Sequence, residues 1–183
     1  MTITEFKNNY INHYLVLEKD FQLTMEYVTL SEDNFDTYST YYLKLLLNIG
    51  SEIGVMLELL AKLYDPNIKK TGFGCSKTIL EKEPDIRLLE LKLRNEELFI
   101  KPWDYEAIPE WWTAYNEIKH NRYKSADSFD SKRKYYQYAN LRNVITSLAA
   151  LLSLNLYAYR HIAQQNNGRL FVPNIRSIFT IQN

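Results

Sequence analysis

The sequence contains a single cysteine and no excess of charge of either sign. Because Cys75 is alone, the chain cannot form an intrachain disulfide or a cysteine zinc cluster. One unpaired thiol also favours a reducing compartment, so we expect a cytoplasmic location. The 22 basic residues are balanced by 22 acidic residues. This balance argues against a protein that binds nucleic acid through its overall charge, but it leaves room for a local basic patch.

Long apolar runs are also missing. Residues 1–10 have no basic segment followed by an apolar one, so we expect no signal peptide. The longest apolar stretch, residues 144–158, is interrupted by polar residues and falls short of the roughly 20 residues that a membrane span needs. We therefore expect a buried core helix there and no association with a membrane.

The common signatures of metal, cofactor and nucleophile sites are absent as well. Of the three histidines, only His120 stands in the Glu-x-x-His spacing of a ferritin-like metal site, and it does so once. The glycines at positions 72 and 74 lack the lysine and serine or threonine of a phosphate-binding loop. The chain has no dinucleotide-binding glycine pattern and no serine nucleophile elbow. We therefore expect no metal and no cofactor.

What the sequence does contain is helical periodicity. Hydrophobic residues make up 46% of the 183 residues, which is enough for one buried core. Apolar residues at three- and four-residue steps predict helices over residues 4–29, 38–64, 76–83 and 132–165. Pro66 should end the second of these and Gly168 the last. The polar residues 124–132 predict a flexible loop.

A change of pattern between residues 88 and 103 predicts a small β-hairpin. Leucines alternate with charged residues before a polar break, and a second apolar segment follows. A short helix over residues 86–98 is the alternative. The alternating tail, residues 169–183, should lie on the bundle as an extended strap. The predicted fold is all-α in the main: one domain over residues 1–183, with about four main helices and a small inserted hairpin.

The most distinctive segment is residues 109–122, which is aromatic at one end and basic at the other. Pro109 suits the first turn of a helix. On that helix Asn116 and His120 lie four residues apart, one above the other on one face. Seven basic residues lie near His120 and outnumber the three acidic residues there. The basic residues are Lys119, Arg122, Lys124, Lys132, Arg133, Lys134 and Arg142. The segment is either a binding site or a helix with an aromatic root and a solvated basic end.

This segment resembles a motif of the HEPN superfamily, the higher eukaryotes and prokaryotes nucleotide-binding domains. The pattern over residues 111–122 is Trp-Trp-x-x-Tyr-Asn-x-x-Lys-His-x-Arg. Residues 51–53 (Ser-Glu-Ile) and 138–140 (Tyr-Ala-Asn) extend the similarity, which covers roughly residues 38–154. The resemblance implies a helical bundle that dimerises across its motif helices, binds RNA or a nucleotide, and in active members cleaves RNA without a metal. It also implies a toxin–antitoxin or phage-defence system.

The predicted catalytic residues are His120, Asn116 and Arg122. The predicted RNA- or phosphate-binding residues are Lys119, Tyr115 and Lys124, and the predicted supporting residues are Glu52 and Trp112. His120 would act as acid or base toward a ribose 2′-hydroxyl, and Asn116 would orient the imidazole or the nucleotide. Active members carry an arginine where this chain has Tyr115, and tyrosine lacks the charged, forked donor of arginine. The alternative is therefore a catalytically inactive interaction module or dimeric scaffold, with a cognate protein as partner.

Two further expectations concern how the site is assembled. The carboxylate of Glu52 lies at the edge of an apolar stripe and should meet the basic end of the 109–122 helix, at Lys119, His120 or Arg122. The final helix is apolar over more surface than two long helices can cover, so we also expect a homodimer. The candidate interface aromatics are Trp111, Trp112, Tyr135 and Tyr136.

Overall fold

Helices dominate the computed structural model, which describes residues 1–94, 96–167 and 175–182. The N-terminal helix runs from α1 (Ile3–Phe6) through a π-helical turn (Lys7–Ile11) into α2 (Asn12–Thr24). The other helices are α3 (Thr40–Tyr64), α4 (Ser76–Lys82), α5 (Glu110–Asn121) and α6 (Leu141–Asn167). A small antiparallel sheet completes the structure. The predicted mainly helical fold with a small hairpin is therefore confirmed.

The N-terminal helix begins as a capped helix and ends earlier than the sequence predicted. The Thr2 hydroxyl accepts a hydrogen bond from the Glu5 amide (3.2 Å), and the Glu5 carboxylate accepts one from the Thr2 amide (2.7 Å). After Thr24, the amides of Met25 and Tyr27 bond to carbonyls three residues back. This tighter pattern ends the helix at Thr24 rather than at residue 29.

The core is built on α3 and α6, which form the most extensive contact between helices. The Ser39 hydroxyl caps α3 by accepting from the Tyr42 amide (3.0 Å), and the helix ends at Tyr64, before Pro66, as predicted. The buried polar residues that interrupt α6 donate hydrogen bonds to carbonyls within the helix. The Ser153 hydroxyl donates to the Ala149 carbonyl (2.8 Å), for example.

Helix α6 begins at Leu141, so the predicted start at residue 132 was wrong. The Asn140 side chain accepts from the Asn143 amide (3.0 Å) and caps the helix, while the backbone just before it turns as a 3₁₀ helix (Tyr135–Tyr138). By length and composition α6 could span a membrane, but 78% of its most apolar 18-residue window is buried inside the fold. That burial is the one expected of a core helix.

The sheet joins the inserted hairpin to the tail. Strands β1 (Glu90–Leu93) and β2 (Phe99–Ile100) form the predicted hairpin, and β3 (Phe179–Gln182) pairs with the other edge of β1. The strand order is therefore β2-β1-β3, all antiparallel. Of the predicted strap, residues 175–182 are described, and residues 179–182 form this third strand. The predicted helix terminator Gly168 and the start of the strap lie outside the described residues.

A buried carboxylate anchors the tail to the N-terminal helix. Glu18 on α2 is only 4% exposed and accepts hydrogen bonds from the Tyr14 hydroxyl, the Ser177 hydroxyl and the Ile178 amide. The guanidinium of Arg94, next to β1, donates to the Ser177 carbonyl (2.7 Å). Three donors make a buried carboxylate tolerable without a cation, and they hold the tail beside β1.

Candidate functional site

Helix α5 is fixed at its N-terminal end by aromatic side chains. The buried Trp111 donates its indole N–H to the Pro102 carbonyl (3.0 Å) and packs edge-on against Trp103, with ring centres 5.6 Å apart. Trp112 is half-buried and stacks on Phe73 (4.8 Å). The supporting role predicted for Trp112 stays a prediction. These contacts fix the N-terminal end of α5 in the fold and thereby position its C-terminal end.

Tyr115 lies in the core, against α3. It is 6% exposed, and a Cβ atom placed on Gly50 would lie 2.3 Å from its Cδ2 atom. Only glycine at position 50 therefore admits the ring in this position. We expected Tyr115 to contact RNA, and its burial corrects that expectation. Its ring instead packs beside Trp112 (5.0 Å) and below the ammonium group of Lys119 (5.7 Å).

The opposite face of α5 is open to solvent. Asn116, Lys119 and His120 are exposed on the helix, and Arg122 and Lys124 are exposed just after it. Within the described part of the chain, no hydrogen bond or ion pair involves the side chains of four of the predicted site residues: Asn116, His120, Arg122 and Lys124. Most of the predicted site residues therefore share one free surface, to which Tyr115 and Glu52 do not belong.

The chain after α5 forms a paired ribbon rather than a flexible loop. Residues 122–126 run alongside residues 133–136, joined by backbone hydrogen bonds from Tyr136 to Arg122 (3.2 Å) and from Tyr135 to Lys124 (3.2 Å). This pairing places Tyr123 at the surface between two cations, with 81% of its surface exposed. Sequence reasoning did not single out Tyr123 as a site residue. Its signal was present as an aromatic residue between Arg122 and Lys124 directly after the helix.

The basic patch is smaller than the sequence suggested. The guanidinium of Arg133 forms an ion pair with Asp36 (3.3 Å), and that of Arg142 lies over the ring of Phe35 (4.8 Å). These two cations are therefore engaged within the fold. Among the described residues, the exposed basic side chains near the end of α5 that form no ion pair are Lys119, Arg122, Lys124, Lys132 and Lys134, and the ammonium group of Lys134 donates to the Ser125 hydroxyl (3.5 Å).

A cavity opens beside Arg122. Its volume is about 410 Å³, within the range of ligand sites. The cavity lies between the start of α3 and the ribbon, and its walls include Tyr38, Tyr123 and Tyr136. The rings of Tyr38 and Tyr136 meet edge to face with centres 5.8 Å apart. The combination of a guanidinium and several aromatic rings suits a ligand that has both negative charge and flat rings.

The predicted contact of Glu52 is not formed. Among the described residues Glu52 makes no ion pair with Lys119, His120 or Arg122. Burial raises the pKa of this carboxyl, and the nearby His13 on α2 offsets part of that rise. The reason is helical geometry: Glu52 is two residues after Gly50, so it points about 200° around α3 from the face that meets α5. Glu52 therefore faces α2.

The expectation of a homodimer rested on apolar surface of α6 that two long helices could not cover. Helix α6 is covered within one chain by α1, α2, α3 and α5. Trp111 and Tyr135 are 2% and 5% exposed, so neither is free to meet a second chain.

As for metals, the described residues contain no group of three histidine, cysteine or acidic side chains that could hold an ion.

Comparison with known proteins gives no independent assignment of this site. No family model, curated protein or solved structure matches the chain. Its function is therefore argued from the exposed face of α5 and the cavity beside it.

Proposed function

We propose that this protein binds RNA or a nucleotide through the exposed C-terminal end of α5, as its resemblance to HEPN proteins implies. The observation that carries the proposal is the group of unpaired cations, Lys119, Arg122 and Lys124, around the exposed ring of Tyr123. Cations without acidic partners can neutralise phosphates, and an exposed ring offers a surface on which a base stacks. The zero net charge of the chain makes this a local site rather than a general affinity for polyanions.

The same surface offers groups for RNA cleavage without a metal. His120 can remove the proton of a ribose 2′-hydroxyl, whose oxygen then attacks the adjacent phosphorus. The bond to the 5′-oxygen of the next nucleotide breaks, and that oxygen takes up a proton from solvent. Arg122 and Lys119 would hold the negative phosphate, and Asn116, four residues before His120, would orient the imidazole or the nucleotide.

RNA binding is tested by fluorescence anisotropy with a labelled single-stranded RNA. Replacing Lys119, Arg122 and Lys124 together by alanine should weaken binding at least tenfold. The plot of log affinity against log salt should become less steep by about 2, because three phosphate contacts are lost. The control replaces three exposed lysines elsewhere, Lys69, Lys70 and Lys82. Equal losses in the two triple variants, or no loss in the first, would show that this surface does not bind RNA.

Cleavage is tested separately, on a mixed RNA pool in the presence of a chelator. The exposed side chain of His120 has no structural partner in the described residues, so His120→Ala should remove activity without altering the fold. Circular dichroism checks the fold. Cleavage at the same rate by wild type and variant would exclude His120 as the catalytic group.

The second candidate is a non-catalytic interaction module, either the partner of a cognate protein in a defence or toxin–antitoxin pair or a dimeric scaffold. It is favoured by the burial of Tyr115, which stands where active HEPN proteins carry an arginine. A module of this kind should bind no RNA and should purify with a stoichiometric protein partner or as a dimer. Light scattering separates these cases, because one chain has a mass of 21.8 kDa.

A further inference from the structure

The exposed tyrosines are not scattered over the surface. All fifteen tyrosines lie in described parts of the chain, and four of them are exposed: Tyr27 (85%), Tyr38 (46%), Tyr41 (39%) and Tyr123 (81%). Each of these four lines one of two cavities, and each cavity has a volume of about 410 Å³. Tyr38 and Tyr123 line the cavity beside Arg122, and Tyr27 and Tyr41 line the second.

The two cavities are neighbours. Ser39, which precedes α3, lines both of them, so they meet at this residue. We call the two together the tyrosine groove, defined by Tyr123, Tyr38, Tyr41 and Tyr27; Arg122, directly after α5, lines one end of it. The groove continues toward the end of α2, where Leu23 and Val28 contribute apolar walls.

We propose that the tyrosine groove is the path of a single strand of RNA several nucleotides long. This inference rests on the proposed RNA-binding function and extends it from one phosphate site to an extended strand. The strand would bind through its phosphates at Lys119, Arg122 and Lys124. Its bases would then stack on Tyr123 and Tyr38 and, past Ser39, on Tyr41 and Tyr27.

A single strand fits this arrangement better than a duplex. Bases stacked within a double helix do not present their faces to side chains, whereas the bases of a single strand can be splayed onto aromatic rings. Lys44 holds the ring of Tyr41 from one side, with its ammonium group 5.0 Å from the ring centre, and is itself fixed by Asp20 (3.3 Å). The Tyr41 ring is thus ordered before a ligand binds and keeps its other face free for stacking, which lowers the entropic cost of binding.

The second cavity is also bordered by a buried tyrosine. Tyr42 is 1% exposed, lines this cavity, and its hydroxyl has no hydrogen-bond partner among the described residues. Burial raises the pKa of Tyr42, and the nearby Thr24 hydroxyl, which donates to the Phe21 carbonyl (2.7 Å), offsets part of that rise. Because the Tyr42 hydroxyl is itself buried, a base in the cavity would meet the ring of Tyr42 rather than its hydroxyl.

The occupant that we infer is RNA rather than a protein because Arg122, which forms no ion pair among the described residues, lines one end of the groove, with Lys119 and Lys124 exposed close to it in sequence. A protein interface would favour the apolar walls of the second cavity alone. An RNA strand would use both the cations and the rings, so its affinity should depend on residues at both ends of the groove.

The experiment measures affinity against the length of the RNA. Single strands of uridylate of increasing length, from two to about twelve nucleotides, are titrated by fluorescence anisotropy, a range that covers the usual site sizes of single-strand binders. Affinity should rise with length and then level off. Tyr27→Ala with Tyr41→Ala should weaken binding of the longest strand at least tenfold and leave the shortest strand unchanged. Tyr27→Phe with Tyr41→Phe should retain affinity, because the rings remain.

Phe99→Ala is the matched control. Phe99 is also an exposed ring, at 45%, but it lies on β2 outside the tyrosine groove, so its removal should leave all affinities unchanged. If no RNA binds at all, the proposed function fails and the path fails with it. If short strands bind through the α5 cations and length has no effect, only the path fails.

Two more outcomes contradict the path alone. Double-stranded RNA that competes as well as single-stranded RNA would exclude stacking of splayed bases. A change in molecular mass of the Tyr27→Ala, Tyr41→Ala variant, with its RNA affinity intact, would show that these tyrosines form a protein interface.

Discussion

Two glycines of α3 should respond in opposite directions to the same substitution. A Cβ atom at Gly50 would lie 2.3 Å from Tyr115, whereas a Cβ atom at Gly54 would meet nothing within 4 Å. Gly50→Ala should therefore lower the free energy of unfolding by about 1–3 kcal/mol through overpacking. Gly54→Ala should raise it by up to about 1 kcal/mol, because alanine favours the helix. Urea denaturation measures both.

The origin of the Gly50 effect can be checked in a second background. When Tyr115 is itself replaced by alanine, the ring that the new Cβ would strike is gone, and Gly50→Ala should no longer destabilise the protein. A cost that persists in this background would mean that the glycine serves a purpose other than admitting Tyr115.

At this scale the sequence predicted which residues of α5 point outward better than it predicted their partners. Asn116 and His120 share an exposed face because four residues make nearly one helical turn, a local property. The burial of Tyr115 and the direction of Glu52 depend on how α3 is rotated against α5. That rotation is set by Gly50, far away in the chain, so no local pattern could reveal it.

Among the elements, strand β3 is the one whose attachment is open to test. The Ser177 hydroxyl donates to Glu18 and accepts from the Phe179 amide (3.1 Å). Ser177→Ala removes both bonds and leaves buried groups unsatisfied, at a cost of about 1–3 kcal/mol. Hydrogen exchange should therefore become faster at the amides of β3 and of β1, its partner strand, while α3 stays protected.

Ser153→Ala is the control for this prediction. Ser153 is also fully buried, but its hydroxyl bonds only to the Ala149 carbonyl one turn back in the same helix (2.8 Å). Its loss should leave both stability and exchange near their wild-type values. Comparable acceleration at β3 in the two variants would mean that Ser177 does not anchor the strand.

Element boundaries were predictable where a local signal set them. Pro66 ends the pattern of α3, and alternating leucines mark β1. The start of α6 was placed too early because tyrosines at positions 135, 136 and 138 continue its apolar pattern outside the helix. The structure uses them in a 3₁₀ turn and a paired ribbon, whose hydrogen bonds join residues on both sides of a loop.

For the whole molecule, the buried tyrosines predict a loss of stability at alkaline pH. Burial raises the pKa of six tyrosines: Tyr14, Tyr42, Tyr64, Tyr105, Tyr138 and Tyr157. The folded protein therefore keeps their protons to higher pH than the unfolded chain does. The stability that these tyrosines contribute is fully present below about pH 10, where tyrosine in the unfolded chain is neutral. It is lost as pH rises above that value.

Urea denaturation from about pH 8 to about pH 11 measures this loss, and Tyr42→Phe isolates one part of it. Each tyrosine that ionises only in the unfolded state lowers stability by up to about 1.4 kcal/mol per pH unit. The Tyr42 hydroxyl has no hydrogen-bond partner among the described residues, so its removal should cost little near pH 8. The variant should lose stability less steeply above pH 10, and parallel curves would contradict the assignment.

The pairing of β3 with β1 also has a consequence for the order of events when the chain is made. Glu18 and Ser177 are 159 residues apart in sequence, so the contact between them closes a very long loop. On the ribosome, α2, α3 and the β1–β2 hairpin emerge well before residues 179–182 do. The backbone groups at one edge of β1 then remain unpaired, and can pair with a strand of another chain, until the tail is made. Synthesis of the tail therefore closes this edge.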